Sequence, residues 1–453
     1  MMSPLPDGFV QRIQTQFPGA GHPFIQALDT DPSVSVRHNP AKPFGGFRTG
    51  EAVPWCPHGV YLPERPGFTL DPFFHAGCYY PQEASSMFIH FVMRQVLPGP
   101  NAQTRVLDLC AAPGGKSTLI ASYLNGEGVL VANETIRSRA YILAENIIKW
   151  GLPNVIATQN DPSRFSVLEN SFDVVLVDAP CSGEGMFRKD SVARTEWSEA
   201  NAALCAVRQR RIVADVWPAV KEGGYLIYST CTFNPNENED NLDWLVTQFD
   251  AEVVALDNIP KEWGISCIDL GKGCGYAFYP HQVRGEGFFC AVVRKLSGNI
   301  ESQRKRAGRQ DKKGKEPKLA IPAGLLANPD EFVFATPHGK ILALPPQMED
   351  VYRIAETHLT VFHAGVALGE TVKNDFSPDH SLAMSIYYSG VYPSIDLPVG
   401  KALDYLRGDT QLGQFGEKGW NVVGYSGVPL GFVKSMGNRL NNYYPKEWRI
   451  RMR

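Results

Sequence analysis

Between Thr104 and Lys295 the chain repeats one unit: a short apolar run, a turn, then a helical stretch. The runs are RVLDLC, GVLVANE, VIATQN, VVLVDA and YLIYST. Continuous apolar runs of this length suit strands buried on both faces, not strands with one wet face. In the helical stretch SRAYILAENIIKWG, Ala140, Leu143 and Ile147 share one face, and Gly151 with Pro153 stops it. Five such units predict an α/β fold, a parallel Rossmann-like sheet with helices on both faces. Ligands of such sheets sit beyond the carboxyl ends of the strands.

At 453 residues the chain exceeds one ordinary core, which predicts two or three domains. The expected divisions are 1–100, an N-terminal extension rich in Pro and aromatic residues; 101–296, the α/β domain; 297–318, a linker; and 319–453, a β-rich C-terminal region. The linker, SGNIESQRKRAGRQDKKGKEPK, is polar and basic with no apolar period. No apolar run could span a bilayer and the N-terminus lacks the apolar stretch of a signal peptide, so no membrane role and a cytoplasmic site are expected.

Nine cysteines lie between Cys56 and Cys290 without a Cys-x-x-Cys pair or a zinc-like cluster, which argues against structural zinc, any other metal and a disulfide framework. A net charge of −3 argues against non-specific coating of nucleic acid and leaves room for local basic surfaces.

The first strand runs into DLCAAPGGKSTLIASYL, a glycine turn feeding a helix whose free N–H groups favour an anion. A Walker loop would need glycine where Cys110 stands, and G-x-G-x-x-G is absent, although the acid at Asp178 keeps ATP hydrolysis as a rival. What remains is S-adenosylmethionine, with small residues letting the turn approach the cofactor. Glu134, ending the second strand, would accept from the ribose hydroxyls, and Asp161, after the third, would lie near the adenine. The competing reading of either acid is a helix cap.

The fourth and fifth strands end in VDAPCSGEG and YSTCTFNPNENED. As neighbours in such a sheet they bring Cys181 and Cys231 over one cleft. These motifs resemble those of RNA cytosine-5 methyltransferases, which implies that a thiolate adds to carbon 6 of a cytosine to make carbon 5 nucleophilic and that, since the proton on carbon 5 must later leave, one thiol adds and the other assists removal. The residues alone do not say which does which. Asp178 can hold the edge of the base. The remaining cysteines, Cys205 among them, are expected to pack as small hydrophobes.

These motifs, DLCAAPGGKS, VDAPCSGEG and YSTCTFNPNENE, resemble those of the Nol/Nop/Sun RNA cytosine-5 methyltransferases in order and spacing. VPWCPHGVYL, YYPQEASSM and PLGFVKSMGNRLNNYYPKEWR are similar to the bacterial RsmF-type subgroup of 16S ribosomal RNA methyltransferases. The resemblance implies a methyltransferase core at 101–296, an RNA-recognition platform at 1–100 and a PUA-like RNA-binding domain within 319–453. It implies S-adenosylmethionine held by Cys110, Ala111, Ala112, Pro113, Gly114, Gly115, Lys116, Glu134, Asp161 and Asp178, with Cys231 as nucleophile and Cys181 and Asp178 assisting. The implied partner is RNA, small-subunit ribosomal RNA or an assembling 30S particle, met by a monomer. The same reaction on transfer RNA, or a silent assembly factor that binds RNA, are the rivals.

Overall fold

The computed structural model describes residues 3–47, 50–297, 321–373 and 375–452. Each apolar run is a strand of one sheet: β1 (Arg105–Asp108), β2 (Val129–Asn133), β3 (Val155–Thr158), β4 (Phe172–Asp178) and β5 (Val220–Thr230). They are parallel in the order β5-β4-β1-β2-β3. The chain thus leaves β1 on one side and returns on the other at β4, which opens a crevice past the ends of these two strands. Both faces are buried, as the unbroken apolar runs require.

The helices that matter to the site are α1 (Asp7–Gln16), α2 (Gly115–Leu124), α3 (Arg137–Trp150) and α4 (Glu199–Val216). On α3, Ala140, Leu143 and Ile147 are buried, and Gly151 caps the helix at a positive φ that suits glycine. No helix among the described residues is long and apolar enough to cross a membrane.

The sheet is wider than the five parallel strands, and mixed. Phe288–Lys295 joins β5 antiparallel and is followed outward by Cys274–Phe278 and Ser266–Asp269. Val361–Ala364, far along the chain, covers the opposite edge by pairing antiparallel with β3. An open sheet edge presents unpaired backbone groups, and here the C-terminal region satisfies them.

One expectation about cysteine fails. Cys267 and Cys274, expected with the other spare cysteines to serve packing, form a disulfide across the antiparallel pair that joins Ser266–Asp269 to Cys274–Phe278. They sit near a tight turn, so the chain brings the two thiols together without any framework of bridges.

The N-terminal extension forms a four-stranded sheet, with Glu51–Ala52, Gly59–Leu62, Val34–His38 and Tyr79–Pro81 in that order. Its aromatic residues are mostly core: Trp55, Tyr61, Phe68 and Tyr79 are buried. Phe68 and Tyr79 share a cluster with Ile395, Leu397 and Tyr405, so this extension packs directly on the C-terminal region. Helix α1 instead buries Phe9 and Ile13 in the main core, Phe9 lying edge-on to Phe187 and Trp197.

The C-terminal region holds two sheets. Val333–Ala335, Lys340–Leu344, Val366–Val372 and Asp375–Pro378 form one, antiparallel throughout. Ser394–Asp396, Gly419–Tyr425, Val428–Ser435 and Leu440–Asn442 form the other, whose first pair is parallel. The basic linker expected at 297–318 lies outside the described residues except for Ser297.

Candidate active site

The turn after β1 is shaped by Gly114, whose φ of +115° is open to glycine and strained for other residues. A Cβ there would also press on Leu143 and Asn146 of α3 at 3.4 Å. Helix α2 starts at Gly115, so its first N–H groups face the crevice. Asp108, closing β1, is fully buried and accepts from Ser117 Oγ at 2.7 Å. Its other carboxylate oxygen has no partner. Burial pushes the Asp108 carboxyl up to about 7.

A cavity of about 380 Å³ lies past the strand ends, and Cys110, Ala112, Glu134, Asp178, Cys181 and Cys231 all line it. Ala111 and Pro113, on either side of Ala112, serve the turn: Ala111 N–H donates to Asn133 O at 2.8 Å and Pro113 O accepts from Asn146 Nδ2 at 2.8 Å. Burial raises the Cys110 thiol, with Asp108 and Asp178 adding to it, so this sulfur stays protonated. Glu134 is buried; one oxygen accepts the Ile136 N–H at 2.9 Å and the other lies 3.3 Å from Arg139.

Asp161 falls elsewhere. Its carboxylate accepts from Ser163 N and Oγ at 3.1 and 2.8 Å, capping the short helix Pro162–Val167, and meets Arg211 at 3.4 Å. Pro162, not Asp161, lines the cavity. The Ser163 bonds lower its pKa.

Asp178 ends β4 with one oxygen 2.7 Å from Lys116 Nζ and the other accepting from Ser229 Oγ at 2.7 Å. Burial alone would lower the Lys116 pKa; the charge of Asp178 outweighs it and holds the group above its usual value as an ammonium. Lys116 is therefore committed to a carboxylate, unlike the phosphate-seeking lysine of a Walker loop.

The two thiols meet. Cys181 Sγ lies 3.1 Å from Cys231 Sγ and accepts the Cys231 N–H at 3.3 Å. Its hydrogen bond to Cys231, then burial, hold the Cys181 proton well above the usual thiol range. Either sulfur can donate to the other, and the contact with Cys231 together with burial favours the protonated form of Cys181.

The sequence reading missed the groups behind these thiols: Glu184 and Glu237, with Ser182, Thr232 and Arg12. Both glutamates stand inside the quoted motifs, and both are wholly buried. A buried acid beside each cysteine was the available signal. Arg12 carried none, because it comes from a distant helix.

The crevice at the reversal of strand order, the glycine turn closed against α3, the buried acid past β2 and the orphaned oxygen of Asp108 fit a ligand with a charged amino-acid end and ribose hydroxyls. Such a fold and site define a Rossmann-like, S-adenosylmethionine-dependent methyltransferase. Family profiles match at three places: "16S rRNA methyltransferase RsmB/F" over 95–294, "N-terminal domain of 16S rRNA methyltransferase RsmF" over 5–84 and "Methyltransferase RsmF PUA domain" over 392–450. The ribosomal RNA small subunit methyltransferase F of Aliivibrio fischeri is 31% identical over 98% of this chain and 97% of its own. That of Klebsiella pneumoniae is 30% identical over 98% and 96%. A solved methyltransferase homolog from Pyrococcus horikoshii superposes with a TM-score of 0.54 and 27% identity, covering 64% of this chain and 95% of that one. The chain belongs to the RsmB/F family of 16S rRNA methyltransferases.

Proposed function

We propose that this chain methylates carbon 5 of a cytosine in small-subunit ribosomal RNA, through an adduct between Cys231 and carbon 6. The observation that carries this reading is the pair of thiols 3.1 Å apart on a cavity shared with Asp178. S-adenosylmethionine, when bound, supplies the methyl group. Glu134 would hold its ribose hydroxyls; Asp108, with its unpaired oxygen, and the turn from Cys110 to Gly115 would hold the amino-acid end. Asp161, spent on its cap, would shape the adenine end through Pro162 and Arg211.

Cys231 adds, because its neighbour holds the proton. Asp178, kept in place by Lys116 and Ser229, accepts from the amino group of the base and relays a proton from the Lys116 ammonium to N3, so that ring electrons move toward carbon 5 as the sulfur bonds to carbon 6. Formation of that bond removes the hydrogen-bond acceptor that held the Cys181 proton. Cys181 can then give that proton up to solvent and take the proton from carbon 5; the electrons of the broken carbon–hydrogen bond re-form the carbon 5–carbon 6 double bond and expel Cys231 as a thiolate.

A base must be unstacked to reach these groups, so the RNA is single-stranded or locally opened at the site. Helix α4 offers it a wall. Arg211 meets Asp161 just past β3, and the helix ends at Val216, so earlier residues overhang the crevice. Leu204 and Val207, 64% and 66% exposed, form one stripe with Arg208 and Arg211, both on the cavity rim. Arg208 forms no ion pair among the described residues. The N-terminal extension and the C-terminal region, within which 392–450 matches the PUA profile, would complete the RNA surface of a monomer acting on RNA or an assembling particle.

Two outcomes test these assignments. Glu134→Ala weakens S-adenosylmethionine binding by roughly 1–3 kcal/mol, the cost of removing bonds to a buried acceptor; unchanged affinity in calorimetry removes it from the site. Arg208→Glu lowers RNA affinity and flattens its salt dependence, by about one charge in a logarithmic plot for each phosphate no longer neutralised, while cofactor affinity stays put. The substrate is settled by bisulfite sequencing of ribosomal and transfer RNA from a deletion strain: loss of 5-methylcytosine in transfer RNA alone would refute the ribosomal assignment.

A further inference from the structure

The loops that carry the two cysteines are each short and irregular, yet their sulfurs lie 3.1 Å apart. Hydrogen bonds of a reciprocal kind hold them. Glu237, from the loop after Cys231, reaches back to the loop of Cys181: it accepts the Ser182 N–H at 2.9 Å and the Ser182 hydroxyl. Glu184, from the loop after Cys181, reaches forward and accepts the Phe233 N–H at 3.1 Å. Between them Ser182 Oγ meets Thr232 Oγ1 at 2.9 Å, and Gly185 N–H donates to the carbonyl of Cys231 itself at 2.8 Å. The approach at Gly185 is so close that a Cβ would stand 2.9 Å from that carbonyl oxygen.

Each carboxylate has a further tether from a different element. Gln209 of α4 donates to Glu237 at 2.9 Å. Trp197 Nε1 donates to Glu184 at 3.0 Å, and Arg12 of α1 pairs with the same carboxylate at 2.7 Å. Arg12 and Gln16 also donate to the Phe233 carbonyl at 3.3 and 3.2 Å, so α1 grips the Cys231 loop at two points. Buried carboxylates are costly unless fully bonded, and these two are bonded by groups that must be in register for the thiols to meet.

We propose that Glu184 and Glu237 form a reciprocal clasp that sets the spacing of Cys181 and Cys231, closed from outside by Arg12 of the N-terminal helix. The three are positioning residues: they act on the reaction through the thiols and touch neither base nor cofactor. The N-terminal extension thereby takes part in catalysis as well as in any contact with RNA. The inference rests on the thiol chemistry proposed above, and its test does not depend on that chemistry.

The readout is disulfide formation between the two thiols. Diamide takes two electrons and two protons from a thiol pair, is reduced to the hydrazine, and leaves a sulfur–sulfur bond whose rate of formation reports how often the sulfurs meet. Peptide mass mapping of the full chain should show a Cys181–Cys231 link forming readily in the wild type. In Glu237→Ala the link should form at least about tenfold more slowly, and methyl transfer should lose about a hundredfold in kcat with KM for RNA and cofactor affinity held, as a misplaced reacting group demands. Glu237→Gln, which keeps one acceptor for the Ser182 N–H and Gln209 and loses the one that takes the Ser182 hydroxyl, should fall between. Ser182→Ala removes only a hydroxyl and Arg12→Gln only a partly exposed charge; both should slow the link in folded protein if the larger change does not fold. Oxidation as fast as wild type in all these variants overturns the clasp; slowed oxidation with kcat unchanged overturns its part in catalysis. A wild type that oxidises readily but methylates no cytosine would refute the proposed reaction and leave the clasp standing.

Discussion

Cys231→Ser is expected to abolish methyl transfer and to leave no protein joined to RNA. A hydroxyl at this position is a far weaker nucleophile at neutral pH than the sulfur that lies 3.1 Å from that of Cys181. Cofactor affinity should survive, because the change is one atom and the carboxylates on the cavity stay in place. Cys181→Ser should fail differently. Cys231 still adds and carbon 5 still takes its methyl group, but the proton on carbon 5 has lost its base, so the adduct persists. The protein then runs as a protease-sensitive covalent RNA complex on a denaturing gel. If Cys231→Ser traps RNA and Cys181→Ser does not, the roles are inverted. If neither traps it, the base is elsewhere and Asp178 is next in line.

Asp178→Asn should lower single-turnover methyl transfer by about 10²–10⁴-fold, the range expected when an acid–base group at the reacting ring is removed. The amide keeps the shape and can still accept from Ser229 or Lys116, so the fold should persist. Two charges change at once in effect: the base loses its carboxylate, and the buried Lys116 ammonium loses the partner that holds its pKa up. Burial then pulls Lys116 down toward neutrality. In the wild type its bond to the Asp178 carboxylate favours the protonated form, a stabilisation present below the unfolded lysine pKa and lost as pH rises through the raised pKa of Lys116; in Asp178→Asn the lowered pKa should reverse that dependence, so that stability rises with pH toward the unfolded lysine pKa in the thermal unfolding profile. Wild-type turnover in this variant would remove Asp178 from the chemistry.

Much of the site could be read without coordinates because it is local. The turn at Gly114, the acid at the end of β2 and the cysteines past β4 and β5 each lie within a few residues of a strand end, and an apolar run marks that end in the sequence. The same locality misleads for Asp161. It stands where an adenine-binding acid would stand, but Pro162 follows and Ser163 offers two donors, so the cap claims the carboxylate. The aromatic residues of the N-terminal extension suit either stacking on bases or an ordinary core, and folding places Trp55, Tyr61 and Tyr79 in the core.

The sequence by itself determined the class of sheet, the end of the sheet where the site lies and the presence of two thiols, since these follow from hydrophobic period and strand order. Only the tertiary structure decided how closely the two sulfurs meet and that Cys181 is held toward its protonated form, because both depend on a contact between loops fifty residues apart and on burial that no local pattern reports. It also decided that Val361–Ala364 closes the edge of the catalytic sheet and that Arg12 reaches Glu184. Long-range hydrogen bonds of this kind are satisfied by whichever groups the folded chain brings within reach, and a sequence records the groups without recording the reach.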